Sequence, residues 1–245
     1  SDLPGEINKV KSKASATTQF LRANFSNKEL HDTVHVTANP QLYRIEDGTD
    51  GADPINVQFH AQIQVWQENW HSEHGTVMPE EVTKAALDAA ERFPNKRMIV
   101  HYLQPHAPYV GQTGLNKLPT EYTSLWGAYR KGKVDISLEL AKQAYRENLE
   151  LVLPHVRELL STLEGKTVVT ADHGELLGER DFPIPIRRFG HPAHTALAGL
   201  LDVPWFVHEN GTRPRIISEK PTRDVGDKSF DSEVIEDRLQ DLGYA

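Results

Sequence analysis

Asp172, His173 and Gly174 stand in a row directly after the apolar run Thr167–Ala171. A carboxylate and an imidazole at adjacent positions offer a hard oxygen and a nitrogen, the donors a divalent cation takes, and a glycine behind them lets the chain turn sharply around a bound ion. The same three residues also suit an Asp helix cap followed by a surface histidine. Two more histidines have neighbours that limit backbone freedom: His106 in Pro105-His-Ala-Pro108 and His191 in Gly190-His-Pro192. A fixed backbone can hold an imidazole against a substrate or a bound oxyanion, and the plainer reading of each is a rigid surface turn. His71 and His74 are three apart, a helical metal spacing, but no second pair accompanies them. His101 lies inside the apolar run 97–103 and reads as a core histidine.

The elements that must carry these residues follow from hydrophobic period and punctuation. Strands are expected at 32–37, 97–103, 167–171 and 203–207, and helices at 15–25, 79–93, 135–163 and 231–242. Pro79, Glu80 and Glu81 open the second helix with proline first and acids in the first turn, while Pro154 predicts a kink in the third. Residues 44–53 read as a loop, 57–70 show no clean period, and 211–228 read as a charged loop before the last helix. Strands alternating with helices predict an α/β fold, one domain over 1–245, with a mainly parallel central sheet covered by helices on both faces. In such a sheet ligands bind where loops leave the carboxyl ends of the strands, which is where Asn39, His106 and the Asp172–His173 pair fall.

Composition narrows the classes. A formal charge of -8 argues against a non-specific nucleic-acid binder, which needs surplus Lys and Arg to displace counterions. There is no cysteine, so any metal must sit on His, Asp, Glu or hydroxyl oxygen. No apolar run reaches membrane-spanning length and no signal-peptide pattern opens the chain, so a cytoplasmic protein with no membrane segment is expected. Oligomeric state is left open by the sequence.

The segment Val168-Val-Thr-Ala-Asp-His-Gly-Glu-Leu-Leu-Gly-Glu179, followed by Gly190-His-Pro192 and Val203-Pro-Trp-Phe-Val207, resembles the C-terminal half of sulfatase-like members of the alkaline phosphatase superfamily. Val100-His-Tyr-Leu-Gln-Pro-His-Ala-Pro-Tyr109 resembles their central histidine motif, and the segment order fits the short archaeal and bacterial sulfatase-like proteins over nearly the whole chain. The resemblance implies a three-layer α/β/α fold and a metal-dependent hydrolase of small anionic phosphate or sulfate esters. It implies a divalent ion (Zn, Mn, Ca or Mg) held by Asp172, His173 and the nucleophile, with His106 and His191 contacting substrate.

The nucleophile in that family sits in a Cys/Ser/Thr-x-Pro-Ser-Arg segment at a helix N-terminus, where negative charge is favoured. Ser12-Lys-Ala-Ser15 is the nearest match, which makes Ser12 the first choice, as nucleophile and metal ligand, and Ser15 and Thr17 its competitors. The family's first strand and metal-binding acid should precede it. Only eleven residues do, and Asp2-Leu-Pro-Gly-Glu6 does not read as a buried strand. A Ser or Thr nucleophile beside Asp-His leans towards phosphate esters. The second reading is a catalytically silent member that serves as a binding or scaffold module.

Overall fold

The computed structural model describes residues 3, 5–48, 51–119, 125–180, 186–221 and 232–244, and Asp2 falls outside them. The first half of the chain runs β1 (Ile7–Lys11), α1 (Thr17–Phe25), β2 (Lys28–Thr37), α2 (Gln41–Asp47), β3 (Val57–Gln64), α3 (Val65–Glu68), β4 (Trp70–His71), β5 (Thr76–Val77) and α4 (Pro79–Arg92). The second half runs β6 (Arg97–His101), α5 (Gln112–Lys117), α6 (Leu125–Arg130), α7 (Leu138–Thr162), β7 (Gly165–Thr170), β8 (Leu176–Arg180), β9 (Arg187–Gly190), α8 (Ala198–Leu201), β10 (Asp202–Asn210) and α9 (Ser232–Asp241).

Local chemistry accounts for several boundaries. α4 starts on Pro79 with Glu80 and Glu81 in its first turn. α7 is capped by the Ser137 hydroxyl, which accepts from the Leu140 amide at 3.2 Å, and continues through Pro154 as one helix of 25 residues. The loop expected from residue 44 is shorter than its Gly and Asp content suggests. Gln41 to Asp47 forms α2, closed by Gly48 in the left-handed conformation at φ 73. The stretch without a clean period resolves into β3 and α3, because β3 lies alongside β2 and buries Phe59 and Ala61.

The described strands form two three-stranded sheets and two short hairpins. β3-β2-β6 is wholly parallel, whereas β1-β10-β7 is wholly antiparallel. The fold is therefore α/β, but the mainly parallel central sheet is a correction: only one of the two sheets is parallel. The chain between β7 and β10 spends its length on the β8–β9 hairpin and reaches β10 through a four-residue helix, not through the long covering helix that a parallel return requires. The residues before Ser12 also form a strand, β1, whose side chains are largely exposed against the edge of β10. No described backbone pairing joins β6 to β7, and a cavity of about 1630 Å³ is lined by both strands.

The main core gathers Val34, Val36, Trp66, Val82, Ala86, Leu159 and Leu239 from β2, α3, α4, α7 and α9. On the other face of β2, His35 is 1% exposed, its ring stacked on Phe59 at 5.0 Å, and neither ring nitrogen has a hydrogen-bond partner. Burial, reinforced by His101, depresses its pKa from 6.5 to about 3. The folded chain thus keeps His35 neutral where the unfolded chain protonates it. Stability from this residue is complete above 6.5 and declines as pH falls towards 3. Between about pH 7 and about pH 5 the loss is on the order of 2 kcal/mol. His35→Phe keeps a ring on Phe59 and removes both unpaired nitrogens, so urea unfolding at the two pH values is expected to show most of that difference gone. An undiminished difference would place the acid sensitivity elsewhere.

Candidate active site

The carboxyl ends of β2, β6 and β7 meet the N-terminus of α1, and the chemistry collects there. Beyond β7, Gly174 donates its amide to the Leu200 carbonyl at 2.7 Å, and the Ser12 amide donates to Leu201 at 2.7 Å. The Ser12 hydroxyl donates to the main-chain carbonyl of Asp172. These bonds pin the Asp172–His173 corner between α8 and the segment that enters α1.

Within the corner, the His173 amide donates to Asp172 Oδ1 at 2.9 Å, and His173 Nδ1 lies 2.8 Å from the Gly174 carbonyl. A carbonyl only accepts, so Nδ1 carries a proton, and Nε2 is the ring atom turned towards Thr17. That atom lies 3.1 Å from Thr17 Oγ1, which itself lies 2.7 Å from Asp172 Oδ2, and the third side of the triangle, Oδ2 to Nε2, is 3.5 Å. Burial works against the Asp172 charge. The neighbouring His173 and His101 together with the Thr17 and His173 hydrogen bonds outweigh it, and the carboxyl is held below its ordinary range.

The triangle has the dimensions of one face of a coordination shell. Donors each about 2.0–2.1 Å from an ion stand about 2.9 Å apart at a right angle and about 3.4 Å apart in a tetrahedron; the longer bonds to calcium, about 2.3–2.6 Å, would spread them further. Among the described residues no three His, Asp or Glu side chains converge on such a point. Two do so here, with a hydroxyl as the third donor.

Beside the triangle stands a second group. His191 Nδ1 is 2.6 Å from Glu175 Oε2, and both side chains are largely enclosed. The His191 ring lies 4.6 Å from that of His173 and 5.0 Å from that of His106. Burial opposes charge on both members of the pair, but their mutual contact prevails. His191 is raised and Glu175 lowered, which is the direction of an imidazolium-carboxylate pair. His106 goes the other way: burial first, then the charge of His191, lowers it to about 4. The two adjacent imidazoles are thus shifted in opposite directions. On the opposite wall the Asn39 carboxamide oxygen accepts from the Gln41 amide at 2.9 Å, which turns its NH2 group outwards.

Of the residues expected from sequence, Asp172, His173, His106 and His191 come together. Ser12 is occupied with the Asp172 carbonyl. Ser15 donates to the Pro192 carbonyl at 2.9 Å and accepts from the Thr195 amide at 3.1 Å, tying α1 to the loop that holds His191. It is Thr17, the first residue of α1, whose hydroxyl enters the triangle. His71 and His74 stack on each other at 4.2 Å as the start and end of the β4–β5 turn. His101 ends β6 facing the corner, where burial lowers it and Asp172 and His173 act on it in opposite directions. Sequence reasoning missed two participants. Glu175 lay inside the quoted motif, whereas nothing marked Tyr244. Comparison with known families, with characterised proteins and with solved structures returns no match for this chain.

Proposed function

We propose that the chain is a divalent-metal-dependent hydrolase of small phosphate or sulfate esters with Thr17 as its nucleophile. The observation that carries the reading is the Thr17 hydroxyl standing at the first position of α1 between the Asp172 carboxylate and the His173 Nε2. Ala16 precedes it in extended conformation with no side-chain cap, so the amides of the first turn are left to meet an anion. The likeness to sulfatase-like proteins, including their three-layer arrangement, belongs to the same proposal.

The donor set fits a metal of Zn or Mg size better than Ca, and its three protein donors leave positions open, as in catalytic sites. Asp172 Oδ2, His173 Nε2 and Thr17 Oγ1 would hold it. When bound, such an ion supplies Lewis-acid activation of a hydroxyl and screens the charge of the ester. The chain's own groups do the rest. Asp172, within 2.7 Å, orients Thr17 Oγ1, whose proton passes to water as it attacks. Attack at phosphorus or sulfur forms the bond to Thr17 Oγ1 and breaks the bond to the ester oxygen, which leaves with the proton of the His191 imidazolium that Glu175 keeps oriented; water, giving a proton back to His191, then cleaves the Thr17 ester, releases phosphate or sulfate and restores the hydroxyl. The Asn39 NH2 group and the first-turn amides of α1 face the oxygens that gain charge. His106, kept neutral, adds no competing positive charge.

The test joins metal content to turnover. Wild type loaded with Zn or Mn is expected to cleave an aryl phosphate, a phosphodiester or an aryl sulfate, and Asp172→Ala to lower metal affinity by about a hundredfold or more. Metal binding untouched by Asp172→Ala, together with no cleavage of any of the three, would sink the reading. One observation favours a silent binding module instead: among the described residues no group of three carboxylate or imidazole ligands converges at the corner. Ester analogues bound without turnover would select it.

A further inference from the structure

Tyr244 sits inside the site. α9 is fixed by Ile235, Leu239 and Leu242, all buried in the main core, by Asp241 Oδ2, which accepts from the Trp70 indole at 3.2 Å, and by the Arg238 guanidinium 4.9 Å from the Trp70 ring. The helix ends in a two-bond closure: the Gly243 amide donates to Gln240 at 2.8 Å and the Tyr244 amide to Leu239 at 2.9 Å, with Gly243 at φ 78. This closure, which the left-handed glycine permits, throws the next side chain back across the helix end. The Tyr244 ring therefore lands on His106, 5.2 Å away and 20° from parallel, and 6.0 Å from His191. Its hydroxyl lies near the side chains of Thr17 and Asn39. Those are the two groups that an entering ester must meet, one as nucleophile and one as donor to its oxygens.

We propose that Tyr244 is a built-in cover of this site, occupying the place of the substrate anion, and that a ligand enters only by displacing it. The inference rests on the hydrolase reading for its functional consequence, though not for the occlusion itself. Ile235, Leu239 and Leu242 anchor the helix before Gly243, so the cover opens by undoing the two closing hydrogen bonds, the Arg44 contact to the Tyr244 carbonyl at 3.5 Å and the packing of the Tyr244 ring on the edge of the main core, while those three stay buried.

The test measures occlusion and turnover separately. Diethyl pyrocarbonate modification of the full chain, mapped by mass spectrometry with exposed His71 as internal reference, reads how open His106 is. Tyr244→Ala is expected to raise the rate at His106 severalfold, because His106, partly exposed already, loses the ring that lies against its face. Tyr244→Leu, which keeps apolar bulk beside the core, is expected to move it in the same direction, while Tyr244→Phe stays within about twofold of wild type. Equal reactivity in the Ala or Leu variant and wild type, or a Phe variant as reactive as these, overturns the cover. With occlusion established, hydrolysis of an aryl phosphate is expected to rise about tenfold in Tyr244→Ala, as the competent fraction rises. Activity that is unchanged or lower in that variant overturns the inhibitory role. No hydrolysis by either protein, with His106 newly exposed, counts against the hydrolase reading and leaves the cover standing.

Discussion

Thr17→Ala is expected to reduce turnover by roughly a thousandfold or more, whereas Ser12→Ala is expected to stay within about tenfold of wild type. The two hydroxyls lie five residues apart and both touch Asp172, but at different atoms. Ser12 donates to the Asp172 main-chain carbonyl, and its own amide remains on Leu201 when the side chain is removed, so the corner keeps an anchor. Thr17 meets the carboxylate and the imidazole directly, and no other described hydroxyl does so. On the proposed reading, removing it takes away the attacking oxygen and one of three metal donors. Metal affinity should therefore fall together with turnover, by about tenfold or more. Thr17→Ser, which returns the hydroxyl without the methyl group, should recover a large part of both. Turnover and metal titration, with circular dichroism to establish folding, decide the matter. Loss of activity on removing Ser12 but not Thr17 would reverse the assignment.

The corner was legible in sequence because its information is local. A strand, then Asp172, His173 and Gly174, is fixed within about eight residues, and strand ends are where such donors become accessible. The choice among Ser12, Ser15 and Thr17 was not legible. It depends on which residue first takes helical angles, and Ala16 is still extended at φ -152 and ψ 151, so Thr17 is the one that faces inwards. Glu175 was in plain view, but its partner His191 lies sixteen residues on, across the β8–β9 hairpin. Tyr244 reaches the site only because α9 docks on the main core, a long-range packing event. Sheet direction was lost for a similar reason. Alternating helices and strands mark crossovers, yet β10 returns antiparallel, and no residue in Asp202–Asn210 states its direction.

Gly174→Ala is expected to destabilise the fold by on the order of 3 kcal/mol and to weaken metal binding with it. The sequence suggested that glycine serves here for a sharp turn. The structure gives a different reason, since Gly174 is not among the residues with positive φ. A Cβ at this position would lie 2.1 Å from the Gly199 carbonyl oxygen and 3.3 Å from the Leu200 Cα. Both are backbone atoms, so no side-chain rotation relieves the overlap, and the corner must move away from α8. That movement strains the Gly174 amide bond to Leu200 and displaces Asp172 and His173 relative to Thr17. Two comparisons separate crowding from backbone strain. Gly190→Ala meets no atom within 4 Å and suffers only its φ of 77, worth about 1 kcal/mol. Gly199→Ala meets the end of the Leu176 side chain at 3.0 Å, which can shift, so it should be mild. Thermal melts should place Gly174→Ala roughly 6–12 °C below wild type. Added Zn or Mn should restore less stability to the variant than to wild type, since an ion stabilises only in proportion to its affinity for the folded corner. A melt no lower than that of Gly190→Ala would mean that α8 yields at little cost and that the corner is not held rigid from behind.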